Sequence, residues 1–345
     1  MPVFCCVSCC FSLHNPTKGL RFDQPKECHM NESVKIGISS CLLGNKVRYD
    51  GGHKLDRLIR DTLGQYFQFL PICPEVECGL PVPRESMRLV GDTVATRLVT
   101  VRTGVDHTER MLTWAAERIK GLEKENLCGF IFKNNSPSSG MTQVKIYNIK
   151  GKVQHKGSGL FARAFMAHFP SLPVEDEGRL HDPKIRENFI ERIFALRRWR
   201  TLLAGRRDLG RLMSFHAREK LLLMAHSPQH YRQLGKLVAS GRQVAHGELY
   251  SAYERLFLDA LRLKTTQAKN INVLQHILGY FKNQLSADEK HEMLGILESY
   301  RKGDLPLIVP VTLANHYVRK YAQNYLSEQT FLNPHPLALQ LRNHV

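Results

Sequence analysis

Two cysteines, a serine run and four charged side chains carry the chemistry in the first half of this sequence. Cys41 follows the β-prone run Val34–Ser39, Cys73 follows Gln68–Ile72, and Ser136-Pro137-Ser138-Ser139 follows Gly129–Lys133. A thiol beside Gly or Pro at a strand end emerges into a cleft, where its thiolate serves as a nucleophile or a soft metal ligand. Cys78 and Cys128 read instead as small buried hydrophobes. Arg48 and Arg84, in the turns 47–53 and 81–85, present forked guanidinium groups that suit an anionic or carbonyl-bearing ligand. Asp50 and Glu75 are carboxylates able to move protons once desolvated. The bland alternatives are structural ion pairs for the arginines and loop caps for the carboxylates. Two thiolates are too few for an ordinary iron–sulfur cluster. No CxxC pair stands within residues 31–165, which also disfavours a zinc ribbon there.

These groups meet only if the chain folds them together. Four short β-prone runs, the last at Val144–Tyr147, alternate with helical apolar spacing over 53–66 and 105–124, where Met111, Ala115, Ile119 and Leu122 share a face. Such alternation predicts an α/β domain with a small parallel sheet flanked by helices. Parallel sheets gather their ligand groups at the carboxyl edge of the strands, which is where Cys41, Cys73 and the serine run belong. A Gly/Pro-punctuated connector follows, carrying Glu175-Asp176-Glu177, and an amphipathic helix over 183–200. Apolar positions then recur at three and four residues over 208–225, 229–240, 247–263, 268–284, 287–301 and 310–326, which predicts an all-α second domain. The expected organisation is a non-core extension over 1–30, an α/β domain over 31–165, a connector and linking helix over 166–205, and a helical domain over 206–345.

Composition bounds the rest. The 345 residues are 43% hydrophobic and 23% charged, which excludes disordered and disulfide-stapled classes. No apolar run is long enough for a transmembrane helix, so no membrane partner is expected. Nine irregularly placed cysteines suit reduced thiols in the cytoplasm better than a disulfide framework. The first 30 residues, with Cys5, Cys6, Cys9 and Cys10, read as an upstream extension and not as a signal peptide. The net charge is +17, and residues 181–345 hold 25 Lys and Arg against 14 Asp and Glu. A basic half of this kind suits a nucleic-acid contact. Tyr231, Tyr253, Tyr317, Tyr321 and Tyr325 lie near arginines and lysines, as base stacking requires, although helical spacing makes a core edge the plainer reading. His226 and His230 stand four residues apart, but Ser227-Pro228 between them is a helix start that breaks a shared metal-binding face.

Three segments, SSCLLGNKVRYDGGHK, ICPEVECGLPVPRE and FKNNSPSSG, resemble in order the signature blocks of the thiouracil desulfurase family, over about residues 33–165. From about 200 to 340 the chain resembles the YbgA-type helical family of unknown function, through FHAREKLLLMAHSPQHYRQLGKLVA, KNINVLQHILGYFK, VPVTLANHYVRKY and FLNPHP. The first resemblance implies a [4Fe–4S] cluster on three cysteines, with an open iron that takes the sulfur of a small thiolated pyrimidine. By block matching, Cys41 and Cys73 are the first two ligands, and the third position is Ser139. Three outcomes follow: Cys78 or Cys128 supplies the missing thiolate, Ser139 ligates, or the cluster is lost. Glu75 and Asp50 are the acid/base candidates, with Ser136 beside them in the catalytic set, and Ser138, Arg48 and Arg84 are expected to hold the substrate. The alternative function is a cluster-free module that binds a nucleobase or nucleic acid without chemistry.

Overall fold

A computed structural model of the chain describes residues 34–92 and 95–344. The expected N-terminal extension lies outside the described residues. Residues 34–345 form one compact unit.

The first half is built on two four-stranded sheets. In the first, β1 (Val34–Ser39), β2 (Phe67–Ile72), β5 (Phe130–Phe132) and β8 (Val174–Asp176) lie in the order β2-β1-β5-β8, and every pairing is parallel. The second sheet combines β3 (Met87–Val90), β4 (Arg97–Thr100), β6 (Val144–Tyr147) and β7 (Val153–Gly157) in the order β4-β3-β6-β7, with only the β3–β6 pairing parallel. The parallel sheet was expected; the second sheet was not. Its β6 is the predicted run Val144–Tyr147, which pairs here and not in the parallel sheet; β3, β4 and β7 are four or five residues long and partly exposed, so they lack the apolar run that marks a buried strand. β8 carries Glu175 and Asp176 of the acidic segment that the sequence places in a connector, with Glu177 directly after it. The stretch 53–66 holds only a π turn at Leu58–Thr62 and a 3-10 turn at Leu63–Gln65.

Helices α1 (Pro74–Glu77), α2 (Thr108–Leu122) and α3 (Leu160–His168) complete this half. The expected face of α2, with Met111, Ala115, Ile119 and Leu122, is buried. The second half is helical: α4 (Pro183–Leu203), α5 (Leu209–His226), α6 (Pro228–Ala239), α7 (His246–Arg262), α8 (Gln267–Tyr280), α9 (Ala287–Lys302), α10 (Ile308–Lys320) and the short α11 (Asn324–Ser327). Starts are set by caps readable in the chain. Asp182, Asp208, Ser227, Thr266 and Ser286 each accept backbone N–H bonds at a first turn, and Ser286 with Glu289 forms a capping box. Gly303 in the left-handed conformation ends α9.

α4 joins the halves by packing in both directions. Phe189, Ile190, Ile193 and Phe194 cluster with Ile36, Ile38 and Ile131 of the parallel sheet. Ala195, Leu196, Trp199 and Leu202 enter a larger cluster that runs from Phe130, Phe132, Phe161 and Phe165 to Phe257, Val273 and Tyr317. Trp199 stacks on Tyr253 at 5.3 Å and meets Phe215 edge-on at 5.4 Å. Apolar contact is therefore continuous across the two halves.

Candidate functional site

The parallel sheet places its functional groups where its strands stop. β1 runs into a 3-10 turn, Ser40–Leu43, closed by Gly44 in the left-handed region, and this turn carries Cys41. Lys54 N–H and Gly44 N–H both bond the Cys41 carbonyl, which fixes the turn against the following loop. β2 runs into Cys73, the N-cap residue of α1, with Glu75 in the first turn of that helix. The Cys73 N–H bonds Glu77 Oε1 at 2.9 Å, and Arg118 of α2 holds the same carboxylate at 3.0 Å. β5 runs into the loop 133–140. The Lys133 N–H bonds Ser39 Oγ at 2.9 Å, tying the ends of β5 and β1 together.

The serine loop is seated on the start of α3. Leu160 and Ala162 N–H groups bond the Pro137 and Ser138 carbonyls, which satisfies donors that a helix start leaves free. This seat needs glycine at 140 and 159: a Cβ on Gly140 would overlap Val144, and one on Gly159 would overlap the Ser138 carbonyl group.

A cavity of about 370 Å³ opens at this edge. It is lined by Cys41, Cys73, Glu75, Ser136 and Ser139, with Arg48, Lys54, Arg84, Lys133 and Asn134 around them. Glu75 is the hub. Its Oε1 accepts from Ser138 Oγ at 2.6 Å and from Ser136 Oγ at 3.4 Å, and its Oε2 accepts from Cys73 Sγ at 3.5 Å. Arg84 lies 3.9 Å from Oε2. Burial, then the nearby Glu75 carboxylate, pushes the Cys41 thiol up to about 11 and the Cys73 thiol up to about 12. Both are therefore thiols and not thiolates at neutral pH in this arrangement.

The expected residues divide three ways. Cys41, Cys73, Glu75, Arg48, Arg84, Ser136 and Ser139 line the one cavity. Ser138 is fully buried and lies behind Glu75, where it orients the carboxylate instead of facing a ligand. Asp50 does not line the cavity. It accepts the Gly52 N–H at 3.0 Å and pairs with Arg48 at 3.4 Å, the loop-capping role; the Gly52 bond, then Arg48, holds its carboxyl below the usual range. Arg84 is largely structural as well, since its guanidinium donates to the Val47 and Pro81 carbonyls at 3.1 and 3.3 Å.

The two other cysteines among the described residues do not line this cavity. Cys78 lines a separate acidic depression with Glu77, Asp106, Glu109 and Glu117, and its Sγ donates to the Glu75 carbonyl at 3.2 Å. Cys128 is buried before β5, against Arg200 at 3.7 Å. Lys54, Lys133 and Asn134 line the cavity without having stood out in the sequence. Lys133 and Asn134 were findable by their place directly after β5, but Lys54 reaches the cavity through loop geometry alone.

In the helical half, Tyr253 and Tyr317 are buried in the core, which withdraws them from base stacking. Tyr321 donates its hydroxyl to Glu289 at 2.7 Å. α5 ends at His226 and α6 starts at Pro228, as the sequence predicts. His226 is buried between the Leu263 carbonyl and Glu191, while His230 bonds Ser227 Oγ, so the two imidazoles serve separate structural bonds. No helix among the described residues is long and apolar enough to cross a membrane.

Comparison with known proteins places the two halves separately. Residues 36–177 match the family model described as 2-thiouracil desulfurase, and residues 220–336 match that of a protein of unknown function, DUF1722. The uncharacterized protein YbgA of Escherichia coli (strain K12) is 32% identical over 153 residues, which are 44% of this chain and 90% of that protein. The uncharacterized protein YbbK of Bacillus subtilis (strain 168) is 32% identical over 132 residues, 37% of this chain and 86% of that protein. A solved structure described as a [4Fe-4S]-dependent thiouracil desulfidase, TudS, is 30% identical, covers 44% of this chain and 95% of its own, and superposes with a TM-score of 0.36. The chain thus belongs to the 2-thiouracil desulfurase family through its α/β half, joined to a YbgA-type DUF1722 half.

Proposed function

We propose that the cavity binds a small thiolated pyrimidine, or a related thiocarbonyl compound, and replaces its sulfur by oxygen from water. The observation that carries this reading is the Glu75 carboxylate, which faces the cavity between a thiol and a serine pair. The balance is simple. One proton of water passes to Glu75 while the oxygen bonds the thiocarbonyl carbon. The carbon–sulfur bond then breaks, and the sulfur takes up the two protons, one through Glu75, to leave as hydrogen sulfide. Ser138 fixes the carboxylate from behind, and Ser136 offers a hydroxyl at the cavity wall to the edge of the heterocycle. Arg48 stands at the rim, lying 5.3 Å over the Tyr49 ring, where it can meet a carbonyl oxygen of the ligand.

The cofactor that the family resemblance implies does not fit the donors present. The cavity wall offers two thiols and a hydroxyl, where the resemblance calls for three thiolates. Among the described residues, no group of three or more His, Cys, Asp or Glu side chains is placed to hold a metal ion. The mechanism is accordingly written on the protein's own acid and base groups.

The runner-up is a cavity that binds the thiolated or plain nucleobase without chemistry, which the hydroxyl at position 139 favours. Incubating the full chain with 2-thiouracil separates the two. Uracil and sulfide released in equal amounts, and lost in Glu75→Gln by on the order of a hundredfold or more, support desulfurisation. Saturable binding with no sulfide released supports the runner-up.

A further inference from the structure

The serine loop is fixed too firmly for another residue to take the place of Ser139. Gly140 and Gly159 pack against its backbone, the Gly140 N–H bonds the Ser136 carbonyl at 2.8 Å, and the Ser139 N–H bonds Ser136 Oγ at 3.1 Å. Ser139 is 3% exposed and reaches the cavity wall. Its hydroxyl lies 3.4 Å from Ser138 Oγ, which in turn lies 3.0 Å from Ser136 Oγ and 2.6 Å from Glu75. Position 139 therefore belongs to a chain of hydroxyls that ends on a carboxylate. An alcohol there is a far weaker acid than a thiol, and its oxygen is a hard donor. To bind iron it would have to lose its proton and leave this hydrogen-bonded chain. Among the described residues, the remaining thiols offer no substitute. Cys78 opens on the acidic depression formed with α2, and Cys128 is enclosed beside Arg200 at the far end of β5.

We infer that Ser139 has turned the third ligand position of this cavity into a hydrogen-bonding position, so that the chain operates without a [4Fe–4S] cluster. The inference concerns the same cavity as the proposed desulfurisation but does not depend on turnover. Its consequence is a cavity wall of two thiols and a hydroxyl relay that meets the thiocarbonyl group directly.

The test is iron and acid-labile sulfide content. The full chain is purified without oxygen, incubated with ferrous iron, sulfide and a thiol reductant, and desalted. The expected result is iron no higher than in a Cys41→Ala/Cys73→Ala double variant, with Ser139→Cys gaining iron and sulfide in equal amounts together with a broad visible absorbance. A wild-type chain that takes up a full [4Fe–4S] complement overturns the inference. So does a folded Ser139→Cys chain that takes up none, because the serine would not then be what excludes the cluster. Should Ser139→Cys fail to fold, Ser139→Ala decides with the wild type: equal, low iron in both upholds the inference, and iron in the wild type that is lost in Ser139→Ala overturns it. Sulfide release from 2-thiouracil by the same preparation reports the proposed function separately. An iron-free, inactive chain sinks the desulfurase reading alone, and an iron-loaded, active chain sinks this inference alone.

Discussion

Glu75 sits where three strand ends converge, and its value lies in its partners more than in its own type. A carboxylate half-enclosed between Ser138, Ser136 and Cys73 is held in one orientation, which a general base requires. Ser138 acts through Glu75, so Ser138→Ala should lower the rate of sulfide release while leaving the dissociation constant for 2-thiouracil nearly unchanged. Equal losses in both would mean that Ser138 shapes the cavity instead of orienting the carboxylate. Arg84→Ala removes bonds to two carbonyls and should destabilise the loop by about 1–2 kcal/mol, read from denaturant midpoints. At this scale the sequence was informative wherever a residue directly follows a strand: Cys41, Cys73, Ser136 and Ser139 reach one cavity for that reason alone. It failed for Asp50, because a carboxylate two residues before a glycine serves a ligand and a turn equally well in sequence, and only the Gly52 N–H decides between them.

At the scale of elements, β1, β2, β5, α2 and the long helices of the second half were legible because each carries a period or an uninterrupted apolar run. The second sheet was not, because β4 and β7 alternate weakly and pair antiparallel through partly exposed positions. β8 was hidden by its acidic residues, whose burial rests on one near neighbour and one partner remote in sequence. Glu175 pairs with Arg179 at 2.9 Å, and Asp176 accepts the Met141 N–H at 3.3 Å. Burial raises the Asp176 carboxyl to about 6, with Glu177 and Glu175 adding to the rise. The folded chain therefore favours the protonated acid. Its contribution to stability is present below the ordinary carboxyl range and is lost as pH rises through about 6. Asp176→Asn keeps an acceptor for Met141 and should be more stable than the wild type at pH 8 but not at pH 4, as measured by denaturant titration. A gain of equal size at both pH values would show that Asp176 titrates normally. The α3 seat offers a second check. Gly159→Ala should push the serine loop off the helix and cost roughly 1–3 kcal/mol, with loss of ligand binding at the cavity.

The molecule as a whole is held by α4, whose two faces belong to different cores. Trp199→Ala should cost about 3–5 kcal/mol, and because apolar contact is continuous, both halves should melt earlier in a single transition. Two transitions, only one of them shifted, would contradict that continuity. Buried imidazoles add a pH dependence. Burial holds His216 and His335 down to about 4. Their neutral rings favour the fold above the usual histidine range, and that stability is lost as pH falls from about 6.5 towards 4. Replacing His216 by Gln should flatten this acid limb of the stability profile.

Residues near the end of the described chain reach back to the same helix. Arg342 donates to Glu191 at 2.8 Å and to the Phe331 carbonyl at 2.7 Å, and His344 meets Glu187 at 2.7 Å. Glu191 also faces His226 at 3.1 Å. A carboxylate sealed inside a protein is tolerated only with its counter-charge in place. During synthesis on the ribosome, then, the middle helix cannot settle into its final packing until the arginine 151 positions later has emerged. Until that moment Glu191 keeps the hydration that its final packing would remove.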